Sequence, residues 1–349
     1  MTADPHATGN PTRRPIATRR TVNRMEISAA FATSMTTPDH IKVAEGVGYD
    51  RAWVYDSPAL LADAWMVLAL AADRTSRIGL GPAVLVPSLR HPMTNAAAIA
   101  SLCAIAPGRV SVAVGSGFTG RHILGQKPMR WADVETYVRT VRALLAGDTP
   151  EWEGKPIRMI HPDGFVADRP VDVTFLIGAN AAKGTAVAKA VGDGMFAATI
   201  PNAEATGRHA LLRSGTILQP GEDVRSERVL EAAGHGLAVV YHAMYERGGA
   251  EAVINLPGGA AWLAAIEEFP ANERHLLTHE GHLVHLTERD RAALVDGADL
   301  LGTFTLTGSA EAVCEQVAQF AAAGVTEIAY QPAGPDIPGE LERFHAAVA

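Results

Sequence analysis

Two kinds of pattern alternate along this chain. Short apolar runs, many of them rich in β-branched residues, recur at 26–31, 51–56, 78–85, 109–114, 173–178, 194–198, 216–218 and 326–331. Runs without polar alternation suit parallel strands buried on both faces. Between them, apolar positions three and four apart predict helices over 37–47, 62–75, 94–105, 131–146, 182–191, 204–212, 229–246 and 310–323. Stop and start signals agree with these bounds. Pro38 stands in a first turn, Gly48 and Gly324 close helices, and Pro107-Gly108 ends the helix over 94–105. Eight strands with intervening helices predict an α/β fold, a (β/α)8 TIM barrel. A doubly wound open sheet has the same local pattern, because alternation does not show closure. No repeat of solenoid length occurs.

Two stretches break the alternation. Residues 122–164 add a helix and a Trp152-Glu153-Gly154-Lys155 turn, and residues 248–301 add loops, a helix with Trp262 and Phe269, and a histidine-rich run. Both read as excursions capping the barrel mouth, within one domain over 25–349. Trp131, Trp152 and Trp262 would anchor them. Residues 1–24 carry Arg, Thr and Pro without apolar periodicity, which predicts a disordered tail. Arg13-Arg14 and Arg19-Arg20 suggest a twin-arginine export signal. The next apolar segment, however, carries Glu26 and belongs to the first strand. Met25 could equally be the start.

Composition narrows the function. Of 349 residues, 48% are hydrophobic and 19% charged, and the net charge of −8 argues against a nucleic-acid surface. No apolar run approaches the roughly 20 residues of a membrane span. A cytoplasmic protein acting on a small molecule is the expectation. Cys103 and Cys314 fall in apolar helical patterns, which predicts core thiols rather than a disulfide or thiolate metal site.

Candidate chemistry gathers at the predicted carboxyl ends of strands, where barrels place their sites. Asp56 ends the second strand and precedes Ser57-Pro58. Gly115-Ser116-Gly117 ends the fourth and offers backbone N–H groups without side-chain obstruction. Thr119 and Arg121 follow with polar and cationic groups. Gly178-Ala179-Asn180-Ala181 joins the fifth strand to a helix, whose free N–H groups and positive dipole end favour an anion. Gly192-Asp193-Gly194 reads as a close helix-to-strand approach. His275, His279, His282 and His285 lie within eleven residues, with Glu280 among them. That density invites a metal. The spacing is not HExxH, and Gly281 stands where a helix would continue. No metal is therefore assigned, which leaves a packing role or a lid offering proton donors near neutral pH.

Several of these features together resemble the luciferase-like group of flavin- and deazaflavin-dependent oxidoreductases, which includes methylenetetrahydromethanopterin reductase. The resemblance is carried by the strand ending in Ala83-Val84-Leu85, the Arg90-His91-Pro92 turn, the Gly108-Arg109 strand closing on Gly115-Ser116-Gly117, Asp56 after Trp53-Val54-Tyr55, and Gly192-Asp193-Gly194. It implies the same barrel, a homodimer, and hydride transfer through coenzyme F420 or, alternatively, FMN. It implies a non-prolyl cis peptide at Ala83-Val84 that forms a bulge behind the ring, with Asp56 at the ring and the cofactor phosphate on 178–181. The substrate side would be formed by Phe118, Arg121 and Glu280. Ser57 and Phe118 stand where deazaflavin-dependent glucose-6-phosphate dehydrogenases of this group carry a catalytic His and Glu. Those departures argue against a sugar phosphate and leave Asp56, His279 and His282 as the candidate catalytic groups. They also keep open an FMN-dependent monooxygenase and a non-catalytic flavin-binding barrel. A metal-dependent barrel hydrolase built on the histidines is the remaining alternative.

Overall fold

The computed structural model describes residues 24–201 and 205–349. The expected tail over 1–24 lies outside the described residues except for Arg24, which pairs with Asp50 at 2.8 Å.

Eight parallel strands form one sheet: β1 Glu26–Phe31, β2 Arg51–Val54, β3 Gly79–Pro82, β4 Ser111–Gly115, β5 Thr174–Gly178, β6 Gly194–Ala197, β7 Arg208–Ser214 and β8 Glu327–Gln331. Their order is β3-β2-β1-β8-β7-β6-β5-β4. β3 and β4 then meet through Leu80 N to Arg109 O at 2.8 Å, Leu85 N to Ala113 O at 2.8 Å and Gly115 N to Leu85 O at 3.0 Å. Those bonds close the barrel, and the expected TIM fold is borne out.

One strand differs from expectation. The sequence predicts a helix over 204–212 and a strand over 216–218. The chain instead runs extended through β7 and pairs on both sides, with Ala210 opposite Phe196 and Glu327. The apolar Ala210-Leu211-Leu212 run has helical spacing only by coincidence with its charged flanks, Arg208 and Arg213. The parallel partners on both sides decide the conformation. Gly207 makes the turn into β7 at φ +75, and a Cβ at Gly194 would meet the Arg208 carbonyl oxygen at 2.1 Å. A Cβ at Gly192 would meet the Ala188 carbonyl oxygen at 2.9 Å and Ile177 Cγ1 at 2.9 Å, the close helix-to-strand approach expected there. Residues 216–218 contribute only an isolated bridge between Ile217 and Gly308.

Around the sheet pack α1 Thr37–Val47, α2 Ala64–Arg74, α3 Pro92–Ile105, α4 Phe118–His122, α5 Trp131–Ala146 and α6 Ala182–Val191. The long α7 Glu227–Val253 is broken at Gly249. It leads into a cover of α8 Gly259–Glu267, α9 Arg274–Thr278, α10 Glu288–Gly297 and α11 Leu301–Phe304. α12 Ala310–Ala322 and α13 Ile337–Val348 return to the barrel wall. The cover has its own core, in which Val229, Leu237 and Tyr241 of α7 meet Trp262, Ile266 and Leu294. It thus begins upstream of residue 248, with α7. Cys103 is buried, and burial pushes its thiol up to about 11. Cys314 is exposed, contrary to expectation, because α12 turns that face of its apolar pattern outward.

The barrel interior is small-residue and aromatic: Ala30, Trp53, Tyr55, Ala113, Phe196 and Ala329 cluster there. At its amino-terminal end Glu327 is fully buried. Glu327 accepts from Ser28 Oγ at 2.5 Å, Trp53 Nε1 at 2.7 Å and Arg208 Nε at 2.7 Å. Arg208 also binds Glu26.

Candidate active site at the barrel mouth

The carboxyl ends of the strands present a glycine cradle. The Ala83–Val84 peptide bond is cis, as expected from the family resemblance. Val84 lies against two glycines at strand ends. A Cβ at Gly115 would meet Val84 Cγ2 at 2.8 Å, and one at Gly178 would meet Val84 Cγ1 at 2.6 Å. Neither position admits a side chain unless Val84 moves. Gly117 has φ +80 and begins α4, which places Phe118 and Thr119 at the mouth.

The loop after β5 is built as expected for an anion. α6 begins at Ala181 without a side-chain cap, so its first N–H groups stay available. Asn180 Oδ1 accepts from Ala198 N at 2.8 Å, which ties this loop to the one after β6. Arg213, at the end of β7, donates to Ala198 O at 2.6 Å. The predicted loop therefore gains a cation that sequence reading did not place there, because residue 213 was expected beyond a helix end. Ala179 is buried and packs beneath the loop.

Asp56 is buried at the mouth and is taken up by Arg90, whose Nη1 reaches its two oxygens at 2.7 and 2.6 Å. Arg90 Nη2 also binds Asp63 at 2.6 Å. Burial raises the Asp56 pKa, and the Arg90 hydrogen bonds only partly offset it. On the Arg90 side burial lowers the pKa, but the Asp56 and Asp63 bonds outweigh it and raise it. Asp56 thus stands as an anchor for the Arg90 turn, with both oxygens already engaged. His91 caps α3, accepting from Met93 N at 3.1 Å.

Above the mouth lies a buried polar cluster. His279 is fully buried and His282 is 6% exposed. Both meet His242 of α7, which is 1% exposed. His242 Nδ1 and His282 Nδ1 are 2.9 Å apart. Each imidazole has a partner for its other nitrogen or for Nε2: His242 Nε2 to Asp290 at 3.2 Å, His279 Nε2 to Glu246 at 3.3 Å, and His282 Nε2 to Thr119 Oγ1 at 3.1 Å. Glu246 also binds His122 Nδ1 at 2.6 Å. Burial would raise the Glu246 pKa, but the His122 and His279 hydrogen bonds bring it down to about 2. Burial lowers the His279 pKa despite Glu246. Burial and the neighbouring imidazoles hold His282 well below the ordinary range. Both shifts favour the neutral imidazole.

Phe118 is half-buried, its ring 4.7 Å from that of His122 and 6.2 Å from that of His279. Arg121 bridges loops, donating to Lys127 O at 2.6 Å and Ser88 Oγ at 2.5 Å. Glu280 is exposed and pairs with Arg289 at 2.7 Å, while Ser116 O accepts from Met129 N at 2.9 Å. The structure thus brings together His279, His282, Phe118 and Thr119, and leaves Glu280 outside that group. His242, Glu246, Asp290 and His122 were missed. A signal was available: His235 and His242 lie two turns apart on α7 among apolar core positions, where histidine is uncommon.

Residues 21–327 match the profile of the luciferase-like monooxygenase family. The chain belongs to that family. Among similar proteins is the F420-dependent glucose-6-phosphate dehydrogenase of Beutenbergia cavernae, 33% identical over 176 residues; the match covers 44% of this chain and 49% of that enzyme. The 5,10-methylenetetrahydromethanopterin reductase of Archaeoglobus fulgidus is 24% identical over 313 residues, 85% of this chain and 90% of its own. The chain therefore spans about half the length of the first relative and most of the second. A solved F420-dependent secondary alcohol dehydrogenase with an F420-acetone adduct superposes with a TM-score of 0.62 at 18% identity, covering 93% of this chain and 98% of that one. That likeness concerns the fold.

Proposed function

We propose that this chain is an oxidoreductase that transfers hydride between coenzyme F420 and a small organic substrate. The reaction would reduce an activated C=C or C=N bond or oxidise an alcohol. The observation carrying this reading is the cradle of Gly115, Val84 and Gly178 beside the uncapped start of α6. Val84 fills the space beside both glycines, so the bulge would offer a flat ring an apolar support, and a phosphate can meet free N–H groups with Arg213 nearby. The F420-dependent glucose-6-phosphate dehydrogenase named above supports the deazaflavin over FMN. When bound, F420 supplies the hydride chemistry. The chain's own residues hold and orient. Gly178, Ala179, Asn180 and Ala181 would fix the phosphate end, while Ala83, Val84, Gly115, Ser116 and Gly117 would support the ring. Asp56 would keep Arg90 and its turn in place. Thr119, backed by His282 and then by His242, would donate or accept the proton, with His279 packed beside them. Phe118 would line the substrate side. Ser57 and Phe118, in place of His and Glu, continue to argue against a sugar phosphate.

The second reading is an FMN-dependent monooxygenase, favoured by the family profile's own description. We further place the protein in the cytoplasm as a homodimer without nucleic-acid or membrane partners. No helix among the described residues is long and apolar enough to cross a membrane. Ile160 and Phe165, exposed at 79% and 74% on the first excursion, support a self-association face. The deciding experiment titrates the purified chain with F420 and with FMN, then offers the reduced cofactor a panel of enones, imines and ketones. Tight F420 binding with turnover supports the proposal. FMN binding alone would replace it with the second reading, and binding without turnover would leave a cofactor-holding barrel.

A further inference from the structure

We propose that His242, His279 and His282 form a binding site for one divalent transition-metal ion of the zinc class, joining α7 to the cover of the barrel. This does not rest on the cofactor reading, and an ion held by the Nδ1 atoms of His242 and His282 would replace the hydrogen bond that links them in the proposed proton path. One ring nitrogen of each histidine lies within 4.8 Å of the others. The second atoms of the rings explain why. Asp290 takes His242 Nε2 and Glu246 takes His279 Nε2, so each carboxylate draws the ring proton outward. Both Nδ1 atoms are then acceptors; His242 Nδ1 meets the His282 Nδ1 proton, which passes to His282 Nε2, facing Thr119 Oγ1, when the ion binds. That carboxylate–histidine arrangement is the one that orients imidazoles onto a metal.

The inward side is short of partners. His279 Nδ1 is buried and has no hydrogen-bond partner. A buried acceptor without a partner costs free energy, and an ion at that point supplies the missing bond. Asp290 is itself fixed by Trp262 Nε1 at 3.0 Å and Thr287 Oγ1 at 2.8 Å, so the His242 ring is held from behind. His282 is held through Thr119. Tetrahedral zinc with bonds of about 2.0–2.1 Å separates two ligand nitrogens by roughly 3.3 Å. His242 and His282 already stand 2.9 Å apart, so a small adjustment admits the ion. The most distant nitrogen moves inward by at most about 1.5 Å. Three imidazole ligands with one open position select zinc, cobalt, nickel or copper over magnesium or calcium.

The site spans segments far apart in the chain. His242 belongs to α7, His279 follows α9 and His282 lies in the next turn. Sequence spacing alone could not assemble it, because the third ligand comes from another helix.

The test uses the untagged full-length chain, stripped with EDTA, desalted and titrated with zinc against a chromogenic chelator. Cobalt substitution provides a d–d absorption readout. One equivalent per chain is expected, retained through gel filtration and raising the thermal midpoint by several degrees. His242→Gln, His279→Gln and His282→Gln should each abolish retention. Asp290→Asn and Glu246→Gln keep all three ligands and should weaken zinc roughly 10-fold or more. They serve as the decisive pair if a ligand variant does not fold. Circular dichroism checks folding throughout. Failure of the wild-type chain to retain zinc overturns the proposal. So does zinc affinity unchanged in folded ligand variants, or unchanged in both carboxylate variants.

Discussion

At the amino-terminal end of the barrel, Glu327 is buried with both oxygens engaged, by Ser28 and Trp53 on one and Arg208 on the other. At the carboxyl-terminal end, His279 and His235 each bury an Nδ1 with no partner, and the uncapped start of α6 adds backbone donors without side-chain acceptors. The Glu327 network is closed on itself, although Arg51 Nε and His209 Nδ1 at the same end lack partners, whereas the histidine cover is open at two ring nitrogens. A satisfied buried network fixes structure. An incomplete one marks where a ligand completes the bonding. The difference sets the Glu327 network apart as a stability element from the histidine cover, where the proposed ligand would complete the bonding.

The largest effect should come from the closed end. Glu327→Leu leaves Arg208 and Trp53 without their buried acceptor and should cost about 3–5 kcal/mol of stability. Cofactor affinity per folded molecule should stay unchanged. Urea unfolding and a cofactor titration on the same sample check both, and a selective loss of affinity would erase the distinction between the ends.

The open end should answer in the opposite way. Ala181→Asp supplies the missing helix cap and should add about 0.5–2 kcal/mol of stability. The same carboxylate would repel a bound phosphate and weaken F420 at least 10-fold, which is about 1.4 kcal/mol. A gain in stability with no change in affinity would remove the phosphate from this loop.

The smallest effect concerns His235. Burial takes its pKa down to about 4; His242 and His285 add to the fall and Asp290 opposes it. Its folded pKa lies below the ordinary 6.5, so the unfolded chain takes up the proton first. Stability is therefore full above about pH 6.5 and falls as the pH drops toward 4, by up to about 1.4 kcal/mol per pH unit for this group. His235→Gln should flatten that part of the profile. An unchanged slope would show that His235 is not held neutral.

Much of this was legible in sequence because barrel strands buried on both faces leave an unbroken apolar signature. The runs at 26–31, 109–114 and 173–178 and the glycines at 115, 117 and 178 all stood where the residues implied. β7 was not legible. Its Ala210-Leu211-Leu212 core is short, and only its neighbours in the sheet make it extended. The site was half legible. His279 and His282 drew attention by density. Their partners His242, Glu246 and Asp290 lie 33 to 48 residues away from the groups they bind, at positions where ordinary helix periodicity already explained the pattern. Arg213 was hidden for the same reason as its strand.

Leu283 adds a question of time rather than place. It has φ +61 and packs with the mouth cluster, and its carbonyl accepts from Gln331 Nε2 at 2.8 Å. On the proposed cofactor reading, a planar ring at the mouth would compete with that side chain for space. We infer that entry waits for that side chain to withdraw. The measured association rate should then level off at high cofactor concentration, at the rate of opening. Apparent affinity is divided by the fraction of molecules already open. Leu283→Gly suits the positive φ and removes the plug. In stopped-flow mixing it should lift that ceiling, and a rate that rises linearly in both proteins would show the mouth to be open from the start.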